Sequence, residues 1–414
     1  MPSKIHATAL LLSCSGLVLL IIGRGNFASI TKTNTQTFTA PYKPKPQPPA
    51  DDTQDDNDVP KRGDWRVHFE RQEASVLITG VAGFIGAHVA IRLRELGHDV
   101  IGIDNMNNYY DVRLKLARKS LVERAGANFI TGDLCDVDLV RKLLNTSVIT
   151  HVLHFAAQAG VRYSRQNPLA YGQANVMCTI NLLEEARKLK KPPVVLYASS
   201  SSVYGKAKHI PFSESQPTHK PISLYAATKK ATEHIAHAYH SLYHMRMTGL
   251  RFFTVYGPLG RPDMAAWMWA KNITEGQPLT LYRTHGALLR DFTYIDDIVD
   301  GVVRAMDYSA DWAIFNLGRG EPQNVTELIN SLEEQLEKTA IVKLKPLPPG
   351  DVPVTFADTS QARKYLGYEP KVSIKEGVRQ FVEWYKGYTP PPIPANFTFP
   401  SVDPQRPNVT GVVA

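Results

Sequence analysis

The residues with the most pointed chemistry are Tyr225 and Lys229, in the run Tyr225-Ala226-Ala227-Thr228-Lys229. Four positions apart on a helix, the two side chains share a face. An ammonium near a phenol stabilises the phenolate and lowers its pKa, which turns tyrosine into a base near neutrality. Such a pair also arises by chance, so it needs company. Upstream, Ala198-Ser199-Ser200-Ser201-Ser202-Val203-Tyr204-Gly205 follows a β-branched run at 194–199. Open α/β sheets bind ligands outside the carboxyl ends of such strands. A serine hydroxyl there can position a reacting oxygen and relay its proton.

A partner for that base stands near the start of the body. Thr79-Gly80-Val81-Ala82-Gly83-Phe84-Ile85-Gly86 follows directly on a predicted strand, 75–79, and opens a helix that runs through Leu96. Glycine suits a tight turn, a close backbone approach to a pyrophosphate and close helix–sheet packing. The free N–H groups of the new helix favour phosphate. Asp104 ends the next strand, where a carboxylate would accept hydrogen bonds from an adenosine ribose and repel a 2′-phosphate. NAD is the expected cofactor, in preference to NADP.

The elements that must position these groups alternate. Predicted strands at 75–79, 99–104, 128–133, 151–156 and 194–199 are separated by helical stretches, which predicts a parallel, doubly wound α/β sheet of Rossmann type. Helices are expected over 296–308, after Asn324 with Glu327 completing a capping box, and from Ser373 with Glu376. The organisation expected is an N-terminal membrane anchor (1–24), a disordered stem (25–74), a NAD-binding domain (75–255), a smaller α/β substrate domain (256–388) partly interleaved with it, and a Pro-rich tail (389–414). Stem and tail carry Pro-rich runs and, in the stem, the acidic cluster Asp51, Asp52, Asp55, Asp56 and Asp58. Such composition buries too little apolar area to offset ordering entropy.

Bulk composition narrows the function. Hydrophobic residues make up 43% and charged ones 21%, an ordinary globular balance that excludes wholesale disorder. The net charge of +8 comes without any run of five or more Lys/Arg, so a nucleic-acid partner is not expected. Cys14, Cys135 and Cys178 do not make a disulfide framework, and no pair has metal-ligand spacing, so the fold is expected to rest on its core and no metal is expected. Residues 7–22 are nearly all apolar, flanked by Lys4 and Arg24. That length lies between a signal-peptide core and a full span, and an uncleaved signal-anchor is expected over a cleaved signal.

Successive glycines at 80, 83 and 86 are separated by two residues each, an arrangement that resembles the short-chain dehydrogenases rather than the dinucleotide fold with one and two. In that family Ser200, aligned on Val203-Tyr204-Gly205, hydrogen-bonds the reacting hydroxyl. Asp133-Leu134 and His154-Phe155-Ala156-Ala157-Gln158 resemble its adenine-side and nicotinamide-side contacts. The resemblance implies NAD contacts from Gly80, Gly83, Phe84, Ile85, Gly86, Asp104, Asn105, Asn107, Asp133, Leu134, Ala156, Ala157, Gln158, Tyr225, Lys229 and Phe252.

More closely, the runs 102–111, 158–164, 252–258, 260–265, 290–297 and 350–352 resemble the UDP-glucuronate 4-epimerases, although Leu259 stands where such enzymes usually have Trp. The likeness covers nearly all of 75–388. It implies a UDP-sugar substrate contacted by Gly160, Val161, Arg162, Ser200, Ser201, Thr254, Arg261, Arg290 and Asp351, with Thr254 and Arg261 on the glucuronate carboxylate. It also implies a Golgi-type single-pass anchor with a luminal catalytic domain, and a homodimer formed through the helix bearing Tyr225. Similar dehydratases carry an Asp-Glu pair, and similar decarboxylases a Glu, before Val-Tyr-Gly; here Ser201 and Ser202 stand there, which favours simple epimerisation. The rivals are a UDP-glucuronate decarboxylase, a UDP-glucose 4-epimerase and, in another class, a silent nucleotide-binding scaffold. His234, His237, His240 and His244 are expected on a solvent or dimer face, and Trp267 and Trp269 in packing roles. Sequons stand at Asn145, Asn272, Asn324, Asn396 and Asn408.

Overall fold

The computed structural model describes residues 74–398, apart from 147, 208, 285, 349 and 350, together with Ser13, Cys14, Leu17 and Val18. The chain divides into two compact units, Met1–Phe69 and Glu70–Ala414. In the first, Ser13–Cys14 pairs antiparallel with Leu17–Val18. The rest of the expected anchor, nearly all of the stem and residues 399–414 lie outside the described residues. Among the described residues no helix is long and apolar enough to cross a membrane.

The second unit is built on seven parallel strands. In chain order they are β1 (Ser75–Thr79), β2 (Asp99–Asp104), β3 (Asn128–Thr131), β4 (His151–His154), β5 (Val194–Ser200) and β6 (Met247–Phe252), with β11 (Trp312–Leu317) added later. Across the sheet the order is β11-β6-β5-β4-β1-β2-β3, so the direction of winding reverses between β1 and β4. Helices α1 (Phe84–Glu95), α2 (Val112–Arg124), α3 (Val137–Thr146), α4 (Pro168–Tyr171), α5 (Cys178–Arg187) and α6 (Leu224–Tyr243) supply most of the crossovers. A π-helical turn, Gly172–Met177, joins α4 to α5. Covered on both faces, the central strands are buried nearly end to end: in β1 all but Ser75 are buried, and β6 is buried throughout.

The remaining elements form a smaller layer. β7 (Thr254–Tyr256) pairs in parallel with β10 (Phe292–Tyr294), and β8 (Leu279–Arg283) with β13 (Val342–Pro346). β9 (Leu289–Arg290) lies between β12 (Gln323–Asn324) and β14 (Val354–Thr355). Around them pack α7 (Ala265–Thr274), α8 (Ile295–Tyr308), α9 (Val325–Leu336), α10 (Ser360–Leu366) and α11 (Ile374–Gly387). Because β11 returns to the main sheet, this layer is threaded through the first domain. Capping follows the sequence: Asn324 accepts from the Thr326 amide and Ser373 from the Glu376 amide.

Two expectations are corrected. Cys135 and Cys178, 43 residues apart, form a disulfide joining the loop after β3 to the start of α5. The pairing depends on how α5 lies beside that loop, which cysteine spacing does not reveal. The tail is also not wholly without packing. Although 388–398 carry no helix or strand, Phe397 packs against Ala82, Met106 and Val112 beside the glycine loop. Elsewhere, His237 and His240 lie against Trp312, with ring centroids 4.9 and 5.5 Å away, and Trp267 packs on Trp384, Tyr385 and Tyr388.

Candidate active site

The glycine loop is shaped by main-chain contact. Gly80 has φ +73°, and a Cβ on it would lie 2.7 Å from the Ala156 nitrogen. A Cβ on Gly83 or Gly86 would meet the Gly80 carbonyl at 2.8 and 2.4 Å. Only glycine fits such approaches. The Gly80 amide donates to Ile103 O and the Gly83 amide to Gly80 O, so α1 starts immediately beyond the turn. Phe84 is buried at its first position and Ile85 half-buried.

Asp104 is buried at the tip of β2. One oxygen accepts from the Ala82 amide at 3.1 Å, and the other from the Met106 amide at 2.9 Å and the Lys115 ammonium at 3.2 Å. Lys115 also donates to Asn107. A carboxylate has about four lone-pair sites, so Asp104 retains capacity for a hydroxyl ligand. Asn105 donates to Asp133 at 2.9 Å, whose other oxygen caps the Cys135 amide; Leu134 beside it is buried. On the other side of the switch in winding, Thr79 holds both the Ala156 amide and His154. Burial pushes His154 down to about 3, so the ring is neutral and structural. Ala157 is half-buried, and Gln158 exchanges two hydrogen bonds with Asn175, which donates in turn to Thr228 on α6. Phe252 is buried against Phe155.

The base candidate has different neighbours from those expected. Tyr225 stands one residue into α6, capped by Ser223, with its hydroxyl toward Ser200 at the end of β5. Burial raises the phenol; the opposing influences are the Arg261 guanidinium and the Ser200 hydroxyl. Lys229, expected to face the phenol, donates instead to the Ala198 carbonyl at 2.9 Å, and burial lowers it to about 8. The correction has a simple cause: a buried ammonium takes the acceptor within reach, and the end of β5 supplies one. The Ser200 hydroxyl accepts from the Ser202 amide, and Ser201 and Ser202 lie in the one-turn helix that follows.

Arg261 sits in the loop before α7, paired to Asp263 through Nε and Nη2. Thr254 opens β7, its amide on Asp291 O. Tyr225, Tyr171, Tyr163 and Tyr109 form a row, with successive centroids 6.2, 6.3 and 5.0 Å apart. Tyr171 donates to the carbonyls of Ala159 and Gly160, and Ser164 to that of Val161. A second group lies on the smaller layer. Arg162 pairs with Asp351 at 3.3 Å and covers the Tyr282 ring, while Arg290 donates to the carbonyls of Leu289 and Pro353. Burial and Arg162 lower Arg290, with Asp351 opposing. No hydrogen bond among the described residues links this group to Tyr225.

Sequence reasoning overlooked Lys115, Arg118 and Asp263. Arg118 is fully buried and donates to the carbonyls of Ala82, Leu259 and Gly260 and to Tyr110, bracketing the glycine loop to the Arg261 loop. The available signal was two cations, Lys115 and Arg118, three apart within the apolar stripe of α2. For Asp263 it was an acid two residues from Arg261.

With this geometry in hand, likeness to known proteins becomes informative. The family model described as GDP-mannose 4,6 dehydratase matches residues 77–381. UDP-glucuronate 4-epimerase 4 of Arabidopsis thaliana is 47% identical over 330 residues, 76% of each chain. UDP-glucuronate 4-epimerase 5 of the same plant is 44% identical over 378 residues, covering 85% of this chain and 87% of that one. Among solved structures, the UDP-glucuronic acid 4-epimerase from Bacillus cereus in complex with UDP-glucuronic acid and NAD is 35% identical, with TM-score 0.70 over 76% of this chain and 99% of that one. The chain therefore belongs to the extended short-chain dehydrogenase family of NAD-dependent sugar-nucleotide epimerases and dehydratases that includes the UDP-glucuronate 4-epimerases.

Proposed function

We propose that this chain interconverts UDP-glucuronate and UDP-galacturonate by NAD-dependent inversion at C4. One observation carries the proposal: the half-buried Tyr225 phenol, beside Ser200, has the Arg261 guanidinium as the main influence opposing its burial. A proton acceptor with an arginine beside it suits a sugar that carries a hydroxyl and a carboxylate on neighbouring carbons.

The glycine cradle closed to any Cβ, the buried Asp104 and the Asn105–Asp133 pair fit a dinucleotide, held by Gly80, Gly83, Gly86, Asp104, Asp133 and Gln158. NAD held there would supply a hydride acceptor for C4 and a donor of the same hydride to the opposite face. The chain's own groups handle everything else. Tyr225 Oη takes the C4 hydroxyl proton, with Ser200 positioning that oxygen, and gives it back after the sugar has turned. Arg261, with Thr254, grips the carboxylate. Arg162, Arg290 and Asp351 suit the nucleotide end. Ser201 and Ser202 add no acid, and Asp263 is held ionised by Arg261 against the upward push of its burial, so it offers no proton for dehydration.

The apolar run at 7–22 supports an N-terminal anchor, and by likeness to plant enzymes a Golgi membrane with the body in the lumen; protease protection in sealed vesicles tests this. Exposed Leu242 and Tyr243 near the end of α6 support a homodimer through that helix, tested by sedimentation. The central experiment is proton NMR of the products from UDP-glucuronate. UDP-galacturonate is expected; a pentose product or no turnover refutes the reading.

A further inference from the structure

Arg261 is aimed by a neighbour to which no role has been given. Asp263 accepts from Arg261 Nε at 3.0 Å and from Nη2 at 2.5 Å, so the guanidinium presents one full edge to it. Tyr109 Oη donates to the same carboxylate at 3.0 Å, and its ring lies 5.8 Å from the guanidinium carbon. Tyr109 can reach that far because residue 160 is glycine: a Cβ there would lie 2.4 Å from the phenol oxygen. The loop itself is pinned from below, since Arg118 holds the carbonyls of Leu259 and Gly260 and the Met264 amide closes back on Arg261 O. Among the described residues Arg261 Nη1 makes no hydrogen bond, and the Arg261 side chain keeps 21% of its surface exposed.

We propose that Asp263 is a positioning residue for the sugar carboxylate: by engaging the Nε–Nη2 edge of Arg261, and braced by Tyr109, it turns the free Nη1 side toward C6 and fixes the plane in which the carboxylate is held. The proposal rests on the function given above. Its chemical importance comes from the oxidised sugar, a β-keto acid. If the C5–C6 bond aligns with the C4 carbonyl π system, that bond breaks and its electron pair enters C4–C5 as an enolate. Carbon dioxide then leaves, and a proton adds at C5. The product is a UDP-4-keto-pentose; were it to leave before the hydride is returned to C4, the cofactor would be left reduced. An arginine of fixed orientation holds the carboxylate out of that alignment. An arginine on an untethered side chain does so poorly, because a long flexible stem samples many rotamers.

The test compares the holoenzyme with Asp263→Asn, on UDP-glucuronate, following UDP-galacturonate, carbon dioxide, reduced nicotinamide absorbance and bound NAD. Wild-type enzyme should epimerise with little carbon dioxide; if it does not epimerise, the proposed function fails and this inference falls with it. If it does, Asp263→Asn should slow UDP-galacturonate formation by about tenfold, the scale of one charge-assisted contact. It should also raise the carbon dioxide released per turnover several-fold and retain NAD. An unchanged carbon dioxide fraction overturns the inference, whatever the overall rate. Should that variant fail to fold, Tyr109→Phe removes one hydrogen bond from Asp263 while keeping the ring. A smaller rise in the same fraction is expected, and no rise again overturns the inference.

Discussion

Between Gly80 and Gly86 the fit is decided by main-chain atoms, those of the loop itself and of Ala156 against Gly80, whereas the surroundings of Arg261 are drawn from α2, the loops at 109 and 160, and α6. The cofactor side is a steric construction. It needs absence of side chain at three positions and a carboxylate at the end of the next strand. The sugar side is an electrostatic construction, in which the Arg261–Asp263 pair is braced by Tyr109 and Arg118, far away in sequence. The difference teaches where each half is vulnerable: the first to added volume, the second to loss of a partner.

Breaking the sugar side at its centre should have the largest effect. Tyr225→Phe should lower turnover by about 100- to 10,000-fold, the usual range for a positioned acid–base group, with NAD still bound; steady-state rates and the cofactor content of the purified protein check both halves of that statement. Retained activity would show that another group takes the proton.

Adding volume to the cofactor side should act through steric strain. The Cβ of Gly86→Ala would lie 2.4 Å from the Gly80 carbonyl, a backbone atom that cannot swing aside. A stability loss of about 2 kcal/mol is expected, with weakened NAD retention. Denaturant unfolding and cofactor release measure it; an unchanged midpoint would mean the loop is softer than its packing implies.

Lys229 donates to the Ala198 carbonyl two residues before Ser200, and its pH dependence sharpens the comparison. Burial holds it at about 8 in the folded chain, below its ordinary value of 10.5. Its ammonium is lost as pH rises through about 8, so turnover should fall about tenfold per pH unit above that point. Stability should move the other way. Below pH 8 the folded chain bears the cost of a buried ammonium; between about 8 and 10.5 the unfolded chain binds more protons, so stability rises with pH. Parallel loss of both would separate the activity limb from this lysine.

The smallest effect is a control outside both regions. Ser373→Ala removes the cap of α11 and should cost ~1 kcal/mol, lowering Tm by ~2 °C, with epimerisation unchanged. A change in rate would mean that α11 communicates with the site.

Much of this molecule was legible before folding. The starts of the first five strands of the main sheet stand where alternation of apolar runs and helical stretches put them, and the glycine loop could be identified from spacing alone. Strand ends were less so. The expected strand at 151–156 stops at His154, because Ala156 turns to meet Gly80 and Thr79, a tertiary contact. Asp104 was recognisable by type and place, but not its partner Lys115, since a lysine in a helix is ordinarily solvated.

What the sequence by itself determined is therefore whatever depends on near neighbours: the period of the strands, the glycines at a turn, the caps of α9 and α11, and Tyr225 one turn from Lys229. Folding alone decided the rest. It bonded Cys135 to Cys178, turned Lys229 onto Ala198 O, brought Arg261 to Tyr225, and set Tyr109 against the Arg261–Asp263 pair. The physical reason is reach. Steric and hydrogen-bonding preferences act over a few residues of chain, whereas a charge or a thiol pairs with whatever lies within a few ångströms, however far away in sequence that partner is.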